Sequence, residues 1–412
     1  MKPDEAPGLS DPLILKNGVR IKNRIFKSAM SEQLGDKDHN PTPALVRLYS
    51  IWANGGTGLS ITGNVMIDRS ALGEPKNVVL DEKSDKSLFY AWTDGGKEKD
   101  TQLWIQLNHP GKQVPSFLAK TPVAPSAIPL GKGLEKVFNL PRQLSEKEIE
   151  KIVKKFGVSA ELAKAVGFSG VQIHGAHGYL VSQFLSPRHN QRTDQWGGTL
   201  ENRTRFVLEV FREIRKAVGK EFPVGIKMNS ADFMKCGFTT EESLSVAKAL
   251  EKEGIDLIEI SGGTYESPCM MGHKAGASTQ KREAYFLEYA DQLKKQMDIP
   301  VVVTGGFRSR WAMQGALKRG ATDMVGLARP LAVEPDFPNR LLNDKEARSN
   351  LKNPTTGFAA VDKMTMLSIT WYEYQLARLG NGKRVNPDQN AWAAVFQTLA
   401  RMGIHAFAKR RA

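Results

Sequence analysis

Cysteine is almost absent from this chain: Cys236 and Cys269 are the only two among 412 residues. Two thiols cannot build the disulfide framework of a small secreted domain, and they cannot supply the four ligands of an iron–sulfur cluster. Long apolar runs are missing as well. No stretch approaches the roughly 18 residues that a membrane span requires, and the opening MKPDEAPGLSDPL has no apolar signal region. Neither a low-complexity tract nor a repeat of solenoid period appears. The 37 glycines and 21 prolines are spread along the chain rather than clustered. These absences lead to the expectation of a cytoplasmic globular protein with no transmembrane segment.

Charge is the one strong compositional bias. The formal net charge is +14 and the isoelectric point is about 9.6. Such basicity could attract anionic ligands, nucleic acid or a lipid surface. The lysines, however, are scattered through helical patterns, and no dense basic arm with interleaved aromatics is present, so nucleic-acid binding is not expected. The densest basic run is Lys409-Arg410-Arg411, which is only three residues long.

What the chain does contain is a rhythm. Eight short apolar runs recur: Arg24–Met30, Gly58–Met66, Thr101–Leu107, Gly170–His174, Pro223–Met228, Ile255–Ile260, Pro300–Thr304 and Asp323–Ala328. Most are followed by a helical pattern. Ser145 and Glu148 have capping-box spacing, and Ile149, Ile152, Val153 and Phe156 then share one helical face. Helices are also predicted from Leu200 to about Val218, from Thr240 to Glu253 and from Glu283 to Met297. Strands alternating with helices predict a parallel sheet, and eight units predict a closed (β/α)8 TIM barrel, within the ~250 to over ~400 residues that such barrels span. Pattern alone leaves an open doubly wound sheet as the alternative. The Pro- and Gly-rich stretch from Phe117 to Gln143 reads as an excursion after strand three. Residues 341–412 form a helical C-terminal extension, with helices predicted over Met364–Leu379 and Ala391–Phe407. Its Trp371, Tyr372, Tyr374, Trp392 and Phe396 suit packing on the barrel, residues 1–340, or on a neighbouring subunit of a homo-oligomer.

Chemistry in such barrels sits at the C-terminal ends of the strands. His174 ends strand four and His177 follows three residues later. Two imidazoles side by side can hold one substrate oxygen and draw electron density from it. The ends of strands seven and eight carry Thr304-Gly305-Gly306 and Gly326-Leu327-Ala328-Arg329. Glycines let the backbone approach a phosphate closely, and Arg329 can add a bidentate contact. Gln106 and Lys227 stand near the ends of strands three and five, where an amide and a cation suit a ring with carbonyl and imide edges. Lys227 equally suits a Schiff-base lysine, which leaves a lyase or aldolase barrel without flavin as a rival reading. A non-catalytic scaffold binding flavin or a partner is the alternative outside enzymes. The long loop after the histidines, Phe184 to Gly198, reads as functional for its length.

The run from Gly170 to Phe206, with HGAHGYL, FLSPRHNQRTDQWGG and ENRTRF, resembles the old yellow enzymes, the FMN-dependent ene-reductases. It is most similar to their bacterial branch and to the barrel domain of bacterial 2,4-dienoyl-CoA reductases, and the likeness covers residues 10 to 340. The resemblance implies an FMN-filled barrel that uses NADH or NADPH to reduce enones and enals. Ser28, Ala29, Met30 and Ser31 then lie along the flavin ring and Gly63 beneath it. Gln106 and Lys227 meet its pyrimidine edge, with Lys227 stabilising the anionic reduced ring. Gly305, Gly306, Gly326, Ala328 and Arg329 hold the phosphate. His174 and His177 bind the substrate carbonyl, and Tyr179 protonates the α-carbon. Three positions depart from the pattern: Ser31 stands where Cys or Thr is common, Lys227 where Arg is frequent, and Gln33 where close relatives carry a substrate-facing Tyr.

Overall fold

The structure, a computed structural model, describes residues 6–131, 133–269 and 283–402. All eight expected strands are present: β1 Ile25–Lys27, β2 Leu59–Met66, β3 Gln102–Asn108, β4 Gly170–Gly175, β5 Val224–Asn229, β6 Leu257–Ser261, β7 Val301–Thr304 and β8 Met324–Leu327. Each pairs in parallel with its neighbours, and β1 pairs with both β8 and β2, which closes the barrel. The closed (β/α)8 arrangement excludes the open sheet.

Strand residues alternate between barrel interior and helical layer. At the N-terminal end the inward side chains are apolar. Phe26, Leu59, Ile61, Trp104, Leu257, Val302 and Met324 form one buried cluster with Leu13, Leu15 and Ile21. The short pair Leu13–Ile14 and Arg20–Ile21 thus closes the barrel floor. Two residues further along each strand the inward positions turn polar: Ser28, Gln106, Gln172, Lys227, Glu259 and Thr304, all buried. Burying so many polar groups is costly unless each finds a partner, so this layer marks where the site begins.

The outer helices follow local sequence logic. Helix α1 is Pro43–Asn54 and α2 is Lys86–Gly96. Helix α3, Glu146–Ala165, opens with the predicted capping box, Ser145 accepting from the Glu148 amide while Glu148 accepts from the Ser145 amide. Helix α4 is Leu180–Leu185, α5 is Leu200–Val218 and α6 is Thr240–Glu253. The helix expected from Glu283 begins only at Leu287, as α7 Leu287–Lys294. Glu283 is diverted: its carboxylate accepts from the amides of Arg308 and Ser309, both at 2.8 Å. Helices α8 Arg310–Lys318, α9 Arg329–Val333 and α10 Phe337–Asn343 complete the ring.

The expected excursion after β3 is a loop carrying a short parallel pair, Val123–Ala124 with Arg142–Gln143. In the C-terminal segment the helix predicted over Met364–Leu379 is present but begins three residues later, at Leu367. Helix α11 covers Ala359–Met364, Met366 takes a left-handed φ of 49°, and α12 runs Leu367–Gly380. Helix α12 packs on the barrel's α1, where Arg47 Nη1 donates to the Gly380 carbonyl at 2.9 Å. Helix α13 covers Ala391–Met402. The expected continuation to Phe407 and the Lys409-Arg410-Arg411 run lie outside the described residues. Among the described residues, no helix is long and apolar enough to cross a membrane.

Candidate active site

A buried carboxylate organises the polar layer. Glu259 is carried inward by the alternation of β6, between Ile258 and Ile260. It lies 3.1 Å from Lys227 Nζ on the neighbouring strand. It also accepts from Ser28 Oγ, from Thr304 Oγ1 at 2.7 Å and from Gln172 Nε2 at 2.8 Å. Gln106 Nε2 in turn donates to Gln172 Oε1 at 2.7 Å. Lys227 also donates to Ser28 Oγ at 2.9 Å. Its charge is therefore balanced by Glu259. One acceptor is left over: Gln106 Oε1 is buried without a hydrogen-bond partner.

Above this layer, β4 ends in the histidines. The ring centroids of His174 and His177 are 5.3 Å apart, and His174 lies 4.7 Å from Tyr179. His177 holds a left-handed φ of 62°, fixed by its amide donating to Asn229 Oδ1 at 3.2 Å and its carbonyl accepting from Gln113 at 3.1 Å. His177 Nε2 lies 2.8 Å from Ser261 Oγ, whereas His174 Nδ1 is buried without a partner. Burial holds both histidines well below the ordinary value, helped at His174 by His177 and Lys227 and at His177 by Lys227. Both rings are thus neutral near pH 7, one nitrogen donating and the other accepting. Tyr179 is driven the other way, above the usual phenol value, by burial and then by the Glu74 carboxyl, so it is a neutral O–H donor.

The ends of β7 and β8 form a cleft that runs from Ser28, Ala29, His177 and Lys227 to Gly305, Gly306, Gly326, Ala328 and Arg329. Gly306 has φ 98°, and a Cβ there would run into the Glu283 carbonyl. Arg308 lines the same cleft. Burial lowers its pKa, and the like charge of Arg329 lowers it further. Two guanidiniums facing one glycine-lined cleft call for an anion, and a phosphate monoester has the matching shape and charge. Gln106 Oε1 and His174 Nδ1, buried in the barrel mouth without a partner in the protein, likewise call for a polar partner. The residues present therefore fit FMN.

Of the predicted residues, Ser28, Ala29, His177, Lys227, Gly305, Gly306, Gly326, Ala328 and Arg329 line the cleft, His174 and Tyr179 adjoin it through His177 and Gln106 through Gln172, and a second group lies to one side. Ser31, Gln33 and Gly63 line a smaller pocket with Glu74 and Asn77. Ser31 Oγ donates to Glu74, with the two carboxyl oxygens at 2.7 and 2.8 Å, and Gln33 Nε2 donates to Glu373 of α12 at 2.8 Å. Gly63 is needed because a Cβ would collide with Glu32 and the Met30 carbonyl. Met30 is part-buried against the core, with its carbonyl at this contact. Sequence reasoning missed Glu259, Arg308, Tyr265, Glu74 and Glu373. Glu259 was readable as a charge on the inward face of an apolar strand, and Arg308 as the cation two residues after the glycine pair. Glu373 carries no local signal.

The profile of the NADH:flavin oxidoreductase / NADH oxidase family matches residues 8–348. The chain belongs to that family. Among curated relatives, the NADH-dependent flavin oxidoreductase iliE of Hypocrea jecorina is 36% identical over 362 residues, covering 82% of this chain and 90% of that relative. The corresponding iccE protein of Talaromyces variabilis is 33% identical, covering 91% of this chain and 99% of the relative. A cinnamate reductase of Clostridium sporogenes is 32% identical over 83% of this chain, which spans 54% of that protein. Among solved structures, the old yellow enzyme homologue from Zymomonas mobilis superposes with a TM-score of 0.70 at 25% identity, covering 84% of this chain and 95% of that one. A 2-naphthoyl-CoA reductase reaches 0.79 at 24% identity, covering 91% of this chain and 57% of that one, a likeness of fold. This flavin oxidoreductase is accordingly an old yellow enzyme homologue, as its strand-four motif implied.

Proposed function

We propose that the chain is an FMN-dependent ene-reductase that uses NADH or NADPH to reduce the C=C bond of α,β-unsaturated carbonyl compounds. The observation that carries this reading is the cluster of His174, His177 and Tyr179 at the end of β4, whose His177 lines the cleft that ends in Gly306, Arg308 and Arg329. When bound, FMN supplies the hydride chemistry, exchanging a hydride with the nicotinamide and with the β-carbon of the enone.

The chain's own residues do the rest. Arg308, Arg329 and the amides around Gly305 and Gly306 hold the phosphate. Gln106 Oε1 is the acceptor for an imide N–H. Lys227, paired with Glu259, offers a hydrogen-bond donor rather than a net charge. Neutral His174 and His177 present N–H groups to the substrate carbonyl and stabilise enolate charge as it develops, at no reorganisation cost. Tyr179, kept as the neutral phenol, gives its proton to the α-carbon as general acid. The two fungal relatives named NADH-dependent support NADH as the reductant.

The Lys227-dependent lyase reading is disfavoured by the ion pair with Glu259, because a Schiff-base lysine must present a free neutral amine. The test is direct. The purified protein should be yellow, bleach under argon with NADH or NADPH, and regain colour on adding cyclohexenone with formation of cyclohexanone. A colourless protein, or a bleached one that an enone cannot reoxidise, overturns the proposal; binding of colour without bleaching would indicate a scaffold.

A further inference from the structure

Tyr179 does not stand alone. Its hydroxyl lies 3.0 Å from that of Tyr265, which follows β6, and 3.4 Å from Asn64 Nδ2 of β2. The Nδ2 nitrogen of Asn64 can only donate. If Tyr265 also donates, both lone pairs of the Tyr179 oxygen are occupied, and its own proton is committed to neither neighbour. That availability is what a general acid requires. If instead Tyr179 donated to Tyr265, its proton would be turned away from the substrate.

We propose that Tyr265 is a positioning residue for Tyr179: its O–H holds the Tyr179 proton toward the substrate and supplies the replacement when that proton leaves. This rests on the ene-reductase reading. In the step, the enolate's π pair forms the new C–H bond at the α-carbon and the Tyr179 O–H bond breaks. The Tyr265 proton moves to the Tyr179 oxygen, and water restores Tyr265. No electrons change hands in this transfer. Exposure fits the direction of supply: Tyr179 is 6% exposed, whereas Tyr265 is only half-buried.

The fold holds Tyr265 by means independent of its hydroxyl. On one side Thr264 bridges to His177, so the Tyr265 loop and the histidine turn are one unit. On the other side Glu266 is fully buried, bonded to Arg188 Nη2 and to the Gly131 amide, each at 3.1 Å, with His189 at 3.3 Å. Lys112 extends this knot, lying 2.9 Å from His189 Nδ1 and donating to the Ile128 carbonyl at 2.8 Å. The long loop after β4 and the excursion after β3 therefore meet at the residue next to Tyr265. That gives both loops a structural purpose.

Tyr265→Phe removes the hydroxyl and keeps the ring, and stopped-flow on the two half-reactions reads the result. Flavin reduction by NADH should stay within twofold of wild type. Reoxidation by cyclohexenone should slow at least tenfold. In the Tyr179→Phe background the second substitution should cost less than twofold more, because Tyr265 acts through Tyr179. A plot of the reoxidation rate against deuterium fraction should be bowed in wild type, where two protons move, and linear in Tyr265→Phe. Independently of turnover, 3-fluorotyrosine placed at position 179 should shift its 19F resonance when Tyr265 becomes Phe. Equal slowing of both half-reactions, an unchanged reoxidation rate, full additivity with Tyr179→Phe, or an unmoved 19F resonance would each overturn the assignment. A wild-type protein that cyclohexenone cannot reoxidise would overturn the ene-reductase reading itself, an outcome distinct from a normal wild type with a silent Tyr265→Phe.

Discussion

Lys227 and Glu259 stand opposite each other on adjacent strands, 3.1 Å apart and both sealed inside the barrel. A buried ion pair of this kind is weak as a source of net stability, but losing one partner strands the other charge in a dry environment. Glu259→Leu should therefore cost roughly 3–5 kcal/mol in denaturant unfolding. Replacing both, as Lys227→Met with Glu259→Leu, should recover most of that loss and abolish flavin retention. Additive losses in the double variant would show that the two residues do not act as a pair.

The anion cradle gives a second expectation. Arg308 and Arg329 line one cleft with Gly305 and Gly306. Arg329→Ala should release flavin on dialysis and lower the melting temperature, since a bound ligand stabilises the fold by mass action. Arg308→Ala should do the same more weakly. Adding free FMN should restore the melting temperature of either variant in a concentration-dependent manner. Full flavin retention through repeated dialysis of the double Arg variant would remove the phosphate role.

Much of this arrangement was legible in the sequence. The eight strands announced themselves because β-branched runs at regular spacing have few other uses. The histidine turn and the glycine pairs stood at strand ends, where barrel chemistry collects. Boundaries were less legible where a side chain had a distant commitment. Glu283 looks like a helix starter but caps the Arg308 turn instead. Long-range encounters were not legible at all. Gln33 and Glu373 meet across 340 residues of chain, and no periodicity reports such a contact. The partner of Lys227 could have been found, because a glutamate between two isoleucines on a barrel strand points inward and must be paired.

Glu74 offers a pH test whose sign is fixed. Burial, then the neighbouring Glu373, pushes its carboxyl from 4.5 up to about 8. The folded state therefore holds this proton up to about pH 8, while the unfolded chain releases it near 4.5. The group's contribution to stability is fully present below about pH 4.5 and is lost as pH rises through 8. Glu74→Gln, which imitates the protonated form, should become progressively more stable relative to wild type between those limits. Denaturant unfolding of both proteins at several pH values measures the difference. A difference that does not change with pH would place Glu74 among ordinary carboxylates.

His174 and Tyr179 touch ring to edge, 4.7 Å between centroids, yet their substitution should separate the two half-reactions differently. On the ene-reductase proposal, His174 donates to the substrate carbonyl oxygen. Its replacement by Ala should cost roughly 2–4 kcal/mol of transition-state stabilisation in enone reduction, the range for removing one donor to a developing oxyanion. Tyr179→Phe keeps the ring and the packing. Flavin reduction by NADH takes no proton from Tyr179, so that half-reaction should survive intact. Enone reduction should slow by roughly 10²–10⁴, the usual worth of general acid catalysis. The lower end is expected, because the cleft must admit substrate and water can then replace part of the proton supply. Stopped-flow on each half-reaction decides the matter. Equal losses in both would make Tyr179 a ligand-positioning residue, and an unchanged oxidative step would assign the proton to water.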